Sequence, residues 1–151
     1  MTQFPHQAKQ ATFIAAPIED VYDTITAAGG WDAFFTSGME LDAVPGGKMV
    51  WRWKNWGPDS YSVEVPARVV EADRPRRFAF EWGSKLVSTV TFDLTSEFGG
   101  TVIRSTESGY PDTTEGRDHL LECAAGWGEA LTLLKFYLEH GITYTAPNRK
   151  A

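Results

Sequence analysis

The sequence predicts an α+β fold, a curved antiparallel sheet wrapped around one long C-terminal helix with two short helices after the first strand, and three observations carry that reading. Residues 112–141 are the only long segment whose apolar side chains keep a helical period: Leu120, Ala124, Trp127, Leu131, Leu134 and Leu138 recur at steps of four and three and share one stripe. From Met39 to Ser108 the period changes to about two, with turn residues arriving at the spacing of an antiparallel meander. Aromatic residues make up 13% of the chain and include six tryptophans, and rings in that number either fill a core or line a cavity.

Each element has its own signals. Residues 8–15 read as a strand that Pro17 stops, and Pro17 then opens a helix in which Ile18, Val21, Tyr22 and Ile25 fall at i, i+3, i+4 and i+7. Glu19 and Asp20 sit at its positive dipole end and Gly29 closes it. Residues 31–35 form a further turn, whose rings Trp31, Phe34 and Phe35 cap the fold. In the strands that follow, Met49, Trp51 and Trp53 take alternate positions, as do Tyr61, Val63, Val65, Ala67 and Val69, then Phe78, Phe80 and Trp82, then Val90, Phe92 and Leu94. Pro66 demands a bulge or an edge because it cannot donate to a ladder. Gly83-Ser84 reads as a tight hairpin, and Phe98-Gly99-Gly100 as the turn into a last strand over residues 101–108.

The long helix starts at Asp112, with Glu115 three residues on as a capping-box-like pair, and stops at Gly141. Gly126 and Gly128 flank Trp127, each at a cost of up to about 1 kcal/mol against alanine, so the helix either approaches the sheet closely there or leaves space for a ligand. A sheet with one apolar face has to cover it, and this helix, about 40 Å long at about 1.5 Å per residue, is the only element of suitable size.

Composition narrows the function. The length and 42% hydrophobic content fit one domain over residues 1–151, with a core at about 10–142 and a polar tail at 143–151. A net charge of −6 and the absence of any basic run longer than two residues disfavour nucleic acid as a partner. One cysteine excludes an internal disulfide and suits a reducing compartment. Residues 1–10 carry no apolar signal-peptide core and no stretch nears the ~20 apolar residues of a membrane span, so the expected location is the cytoplasm.

The chain resembles the START-like (SRPBCC) superfamily and, within it, the family related to the activator of the heat-shock chaperone ATPase (AHSA-type domains). The resemblance runs from about Phe13 to Gly141 and rests on residues 16–22 (APIEDVY) with Ile25, Pro45-Gly46-Gly47, residues 75–78 (PRRF) with Glu81-Trp82, Gly100-Thr101, Ser108-Gly109-Tyr110, and Gly126-Trp127 with Leu131 and Leu134. It implies a helix-grip fold with a hydrophobic cavity under the C-terminal helix, without implying a reaction. Members often carry a histidine two residues before the Gly-aromatic pair, where this chain has Glu107. In that register Ile103, Ser105 and Glu107 face the cavity and Val102, Arg104 and Thr106 face away.

The expected ligand-binding set is therefore Trp51, Trp53, Tyr61, Phe80, Trp82, Ser105, Glu107, Trp127 and Leu131. Glu107 has two readings: a rim carboxylate in water or beside a basic side chain, or an inward anchor for a ligand's amine or hydroxyl. His119 and Cys123, at i and i+4, are within reach of one another as a nucleophilic pair, but no third group orients them and Cys123 lies on the apolar stripe. Glu115, His119 and Glu122 lack a second ligand cluster, so neither metal nor cofactor is expected. Three functions follow: binding of a small hydrophobic or aromatic molecule, a cavity enzyme of cyclase or hydrolase type, or a co-chaperone-like module stimulating a chaperone ATPase. Exposed aromatics such as Trp31 or Trp56 would offer a homodimer contact.

Overall fold

A computed structural model of the chain describes residue 2 and residues 5–144. Residues 145–151, most of the expected polar tail, lie outside the described residues. The elements are β1 (Ala8–Ile14), α1 (Ile18–Ile25), α2 (Ala28–Asp32), β2 (Glu40–Leu41), β3 (Lys48–Trp56), β4 (Tyr61–Asp73), β5 (Arg77–Trp82), β6 (Ser88–Glu97), β7 (Gly100–Ser108) and α3 (Thr114–His140). The strands form one antiparallel sheet in the order β1-β7-β6-β5-β4-β3-β2, curved around α3. This is the α+β arrangement the periodicities predict and the helix-grip fold the resemblance implies.

The apolar stripe of α3 meets the concave face of the sheet through Trp127, Leu131 and Leu134, while Leu120 joins Ala8 and Tyr110 in a smaller cluster. The main core is aromatic. Trp51 sits at its centre, with ring centroids 4.9 Å from Trp31, 5.3 Å from Phe80, 5.4 Å from Trp82, and 5.7 Å from both Trp53 and Trp127. Trp31 is fully buried and its Nε1 donates to the carbonyl of Ile25 at 2.8 Å, so it belongs to the core and offers no dimer contact.

Local chemistry moves several boundaries. α1 ends at Thr26, whose Oγ1 donates to the carbonyl of Tyr22, and Gly29 lies inside α2 rather than closing α1. Gly83-Ser84 is not a two-residue hairpin. The β5–β6 connection runs over residues 83–87, and Gly83 is required there by a φ of +110° and because a Cβ would come 2.0 Å from the carbonyl oxygen of Leu86. Phe98 and Gly99 do form a two-residue turn, both at positive φ, between the paired Glu97 and Gly100. Pro66 obeys the edge rule: β4 pairs with β5 only from Ala67 onward, so residues 61–66 have β3 on one side and, among the described residues, no strand on the other.

At the start of α3 the cap is Thr113, not Asp112. Thr113 Oγ1 accepts from the Gly116 amide at 3.0 Å, while Asp112 accepts from Arg117 Nε at 2.8 Å. Gly141, at φ +68°, ends the helix with its amide on the carbonyl of Tyr137. Thr113→Ala should therefore lower unfolding free energy by about 1 kcal/mol in urea titration, whereas Asp112→Ala, which removes only an exposed ion pair, should cost less than about 0.5 kcal/mol. The opposite order would return the cap to Asp112.

Candidate functional site

The curvature of the sheet and the line of α3 leave a cavity of about 600 Å³ between the first half of α3 and the outer strands. One wall comes from Trp53 and Trp56 of β3 and Tyr61, Val63 and Val65 of β4. These positions share a face because strand side chains alternate, and a register shift between Trp53 and Trp56 keeps both indoles on it. The other wall comes from α3, where His119, Cys123, Gly126 and Trp127 fall on successive turns. Trp82, Leu86 and Tyr110 close the inner end, and Phe35 reaches in from the α2–β2 connection. The mouth lies where β4 has lost its β5 neighbour, and Tyr61 is 54% exposed there.

Behind the inner wall sits a carboxylate with no exposure at all. Glu107 pairs in register with Ala8 of β1 and Val90 of β6, and its side chain turns inward with Ile103 and Ser105 of the same strand face. Oε2 accepts from Ser88 Oγ at 2.5 Å, Tyr110 OH at 2.8 Å and Trp82 Nε1 at 2.9 Å, and Oε1 accepts from Trp127 Nε1 at 2.7 Å. Trp82 Nε1 also reaches Ser88 Oγ at 3.0 Å. All four donors are neutral. A buried carboxyl group left without partners would cost several kcal/mol, and four hydrogen bonds are the means by which this one is accommodated. Glu107 is thus neither a rim residue nor an exposed ligand anchor: it stands behind Trp82 and Trp127 and fixes the indole edges of both.

The expected set divides accordingly. Trp53, Tyr61, Trp82 and Trp127 line the cavity. Trp51, Phe80 and Leu131 are buried in the aromatic core behind it, and Ser105 and Glu107 are buried on β7. Ser88, Tyr110 and Trp56 also belong to the site and stand outside the expected set. Tyr110 has a signal in the Ser108-Gly109-Tyr110 triplet, whereas Trp56, read as an exposed dimer contact, stands three residues past Trp53 and reaches the cavity face only through the register shift between them. Rather than offering a free surface, Trp56 donates from Nε1 to Glu129 Oε1 at 3.2 Å and packs edge-on to Phe35.

The two glycines of α3 have different surroundings. A Cβ on Gly128 would come 3.6 Å from Gln10 of β1, whose amide donates to the Ala124 carbonyl, so here helix and strand run close. A Cβ on Gly126 would meet nothing within 4 Å, and that position opens on the cavity.

Cys123 contacts Tyr110 OH at 3.4 Å, and burial, reinforced by the nearby Glu107, pushes its thiol up to about 12. The same burial and the same carboxylate raise Tyr110. That shift opposes thiolate formation, and the imidazole of His119 lies against the Tyr110 ring with centroids 6.0 Å apart. Among the described residues no three His, Cys, Asp or Glu side chains are grouped to hold a metal ion. No helix among them is long and apolar enough to cross a membrane.

A curved antiparallel sheet gripping a C-terminal helix, with a cavity between them, defines the START-like helix-grip class. The family model described as activator of Hsp90 ATPase homolog 1-like protein matches residues 15–139, and the chain belongs to that family. No curated protein matches it. Among solved structures it is similar to protein SSP2350 from Staphylococcus saprophyticus, at 24% identity over 92% of this chain and 96% of that one with a TM-score of 0.74. It is also similar to protein BH1534 from Bacillus halodurans, at 25% identity over 92% and 100% with a TM-score of 0.72. The Aha1 dimer from Colwellia psychrerythraea shares the fold at 20% identity over 90% and 98% with a TM-score of 0.75.

Glu107→Gln would place an amide N–H₂ against at least one buried donor, either Trp127 Nε1 or the group around Oε2, and should cost about 2–3 kcal/mol of unfolding free energy in urea titration. A change below about 0.5 kcal/mol would show that the four hydrogen bonds are dispensable. With its thiol held near 12, Cys123 should react with an aromatic disulfide reagent at about pH 8 at least a hundredfold more slowly in the folded protein than in urea; comparable rates would refute the burial of the thiol.

Proposed function

We propose that this protein binds a small hydrophobic or aromatic molecule in the cavity between α3 and the β3–β4 strands. The observation that carries the reading is the aromatic wall of a cavity of about 600 Å³, inside the range of about 300–1,000 Å³ typical of small-molecule pockets. Indole and phenol faces present large apolar area at little entropic cost, and Trp82 and Trp127 are already fixed at their polar edges by Glu107. The expected ligand residues on the wall are Trp53, Tyr61, Trp82 and Trp127, with Glu107 acting from behind it through the Trp82 and Trp127 indoles. Gly126 leaves the helix side of the cavity unfilled, which gives a physical reason for a helix-weakening residue at that position.

A second reading, a module that stimulates a chaperone ATPase, is favoured by the family description and by the similarity to the Aha1 dimer, which also raises a homodimer as a candidate state. Stimulation of an Hsp90-type ATPase by the purified chain would support it.

Titration of tryptophan fluorescence with a panel of flat hydrophobic compounds should reveal saturable quenching. Gly126→Leu, which projects a side chain into open space, should abolish that quenching while leaving the unfolding midpoint equal to or above that of the parent. Saturable quenching that survives Gly126→Leu would place the ligand elsewhere, and silence across the panel would refute the cavity as a binding site.

A further inference from the structure

The cavity has a charge as well as an aromatic character, and the charge is one-sided. Glu115, Glu122 and Glu129 follow one another at intervals of seven along α3, two helical turns each, and all three line the cavity beside the apolar stripe. Glu64 of β4 also borders it, but strand alternation puts its side chain on the opposite face from Val63 and Val65. Against them the lining holds one lysine, Lys85, and that side chain lies 3.7 Å from Glu115. Glu64 is answered by Arg52 at 3.2 Å from outside the lining. What remains is Glu122, which makes no ion pair among the described residues, and Glu129, which accepts a hydrogen bond from the neutral indole of Trp56. Across from this acidic helix face stand Trp53, Trp56 and Tyr61, and Trp82 and Trp127 form the floor.

Facing a row of carboxylates with a bank of electron-rich rings is an arrangement for one kind of charge. Ring faces carry negative quadrupole potential and attract ammonium and guanidinium groups, most strongly when the cation is partly desolvated. Carboxylates on the opposite wall add to that attraction and repel an anion, and the low-dielectric sides of the cleft focus the field. Resting on the reading that the cavity takes a small molecule, we infer that its ligand is an organic cation: an aromatic or hydrophobic body bearing an amine or quaternary ammonium that sits between the Trp53 and Tyr61 rings and the Glu122 carboxylate, beside the Trp56–Glu129 contact. Glu107 is not the counter-ion, since its oxygens are already taken by four donors behind the wall.

Isothermal titration calorimetry of the full chain with three compounds of one shape tests this: naphthylmethylammonium, naphthylmethanol and naphthoate. The cation should bind about tenfold more tightly than the alcohol, equivalent to about 1.4 kcal/mol, and the carboxylate more weakly than either. Raising the salt concentration should narrow the gap. In the double variant Glu122→Gln, Glu129→Gln the ratio of cation to alcohol affinity, which a folding defect would not move, should fall to within about threefold. Equal affinity for cation and alcohol in the parent protein, or tighter binding of naphthoate, overturns the charge preference and leaves the cavity reading standing. Absence of heat from all three compounds overturns the cavity reading and this inference with it.

Discussion

A carboxyl group closed inside the protein sets the terms for everything around it. Glu107 has no exposure and, among the described residues, no basic neighbour in hydrogen-bond contact, so its oxygens take donors from Trp82 on β5, Ser88 on β6, Tyr110 in the β7–α3 connection and Trp127 on α3. Desolvating a carboxylate is expensive enough that these four cannot drift independently. Satisfying one side chain therefore fixes the seating of the long helix on the sheet. Hydrophobic contact alone would permit α3 to slide or roll by a fraction of a turn, because apolar attraction is non-directional. Hydrogen bonds to one carboxylate do not.

The same constraint explains how a core this aromatic can border an open cavity. Indoles need an acceptor when buried, and the protein meets that need by several routes: Trp31 uses a backbone carbonyl, Trp56 a surface glutamate, and Trp82 and Trp127 share Glu107. Trp51 is the exception, since its Nε1 is buried with no partner among the described residues, in a position where packing against five other rings dominates. Tryptophans thus appear on both sides of one boundary, some as filling and some as wall, and the sheet provides the opening by letting β4 run six residues beyond the reach of β5.

Much of the architecture was legible in the chain because it rests on periodicity. The four-three spacing from Leu120 to Leu138 specifies a helix face, and the alternation through Trp51, Val65, Phe80 and Phe92 specifies a sheet face, whatever the turns between them do. Turn chemistry was less legible: Gly83 announced a break, yet a single glycine suits a two-residue hairpin and a five-residue loop equally well, and the choice is made by its contact with Leu86. The helix cap was misplaced by one residue, since Asp112 and Thr113 are both good caps and Arg117 draws Asp112 away. The site was readable in its rings but not in its depth. Alternation puts Trp51, Trp53 and Phe80 on one face and is silent on which lie under α3 and which lie beyond its edge. Nor does a glutamate in a strand reveal that four donors from distant segments will converge on it.

One property follows from Trp51 standing within 4.9 to 5.7 Å of four other indoles. At such separations electronic transitions couple and excitation migrates between rings faster than any of them emits. Light absorbed by Trp31, deep in the core, can therefore leave from Trp53 or Trp127 at the cavity wall. Replacing the tryptophans one at a time would accordingly give changes that fail to sum, and the shortfall would measure how strongly the interior is wired to the cavity.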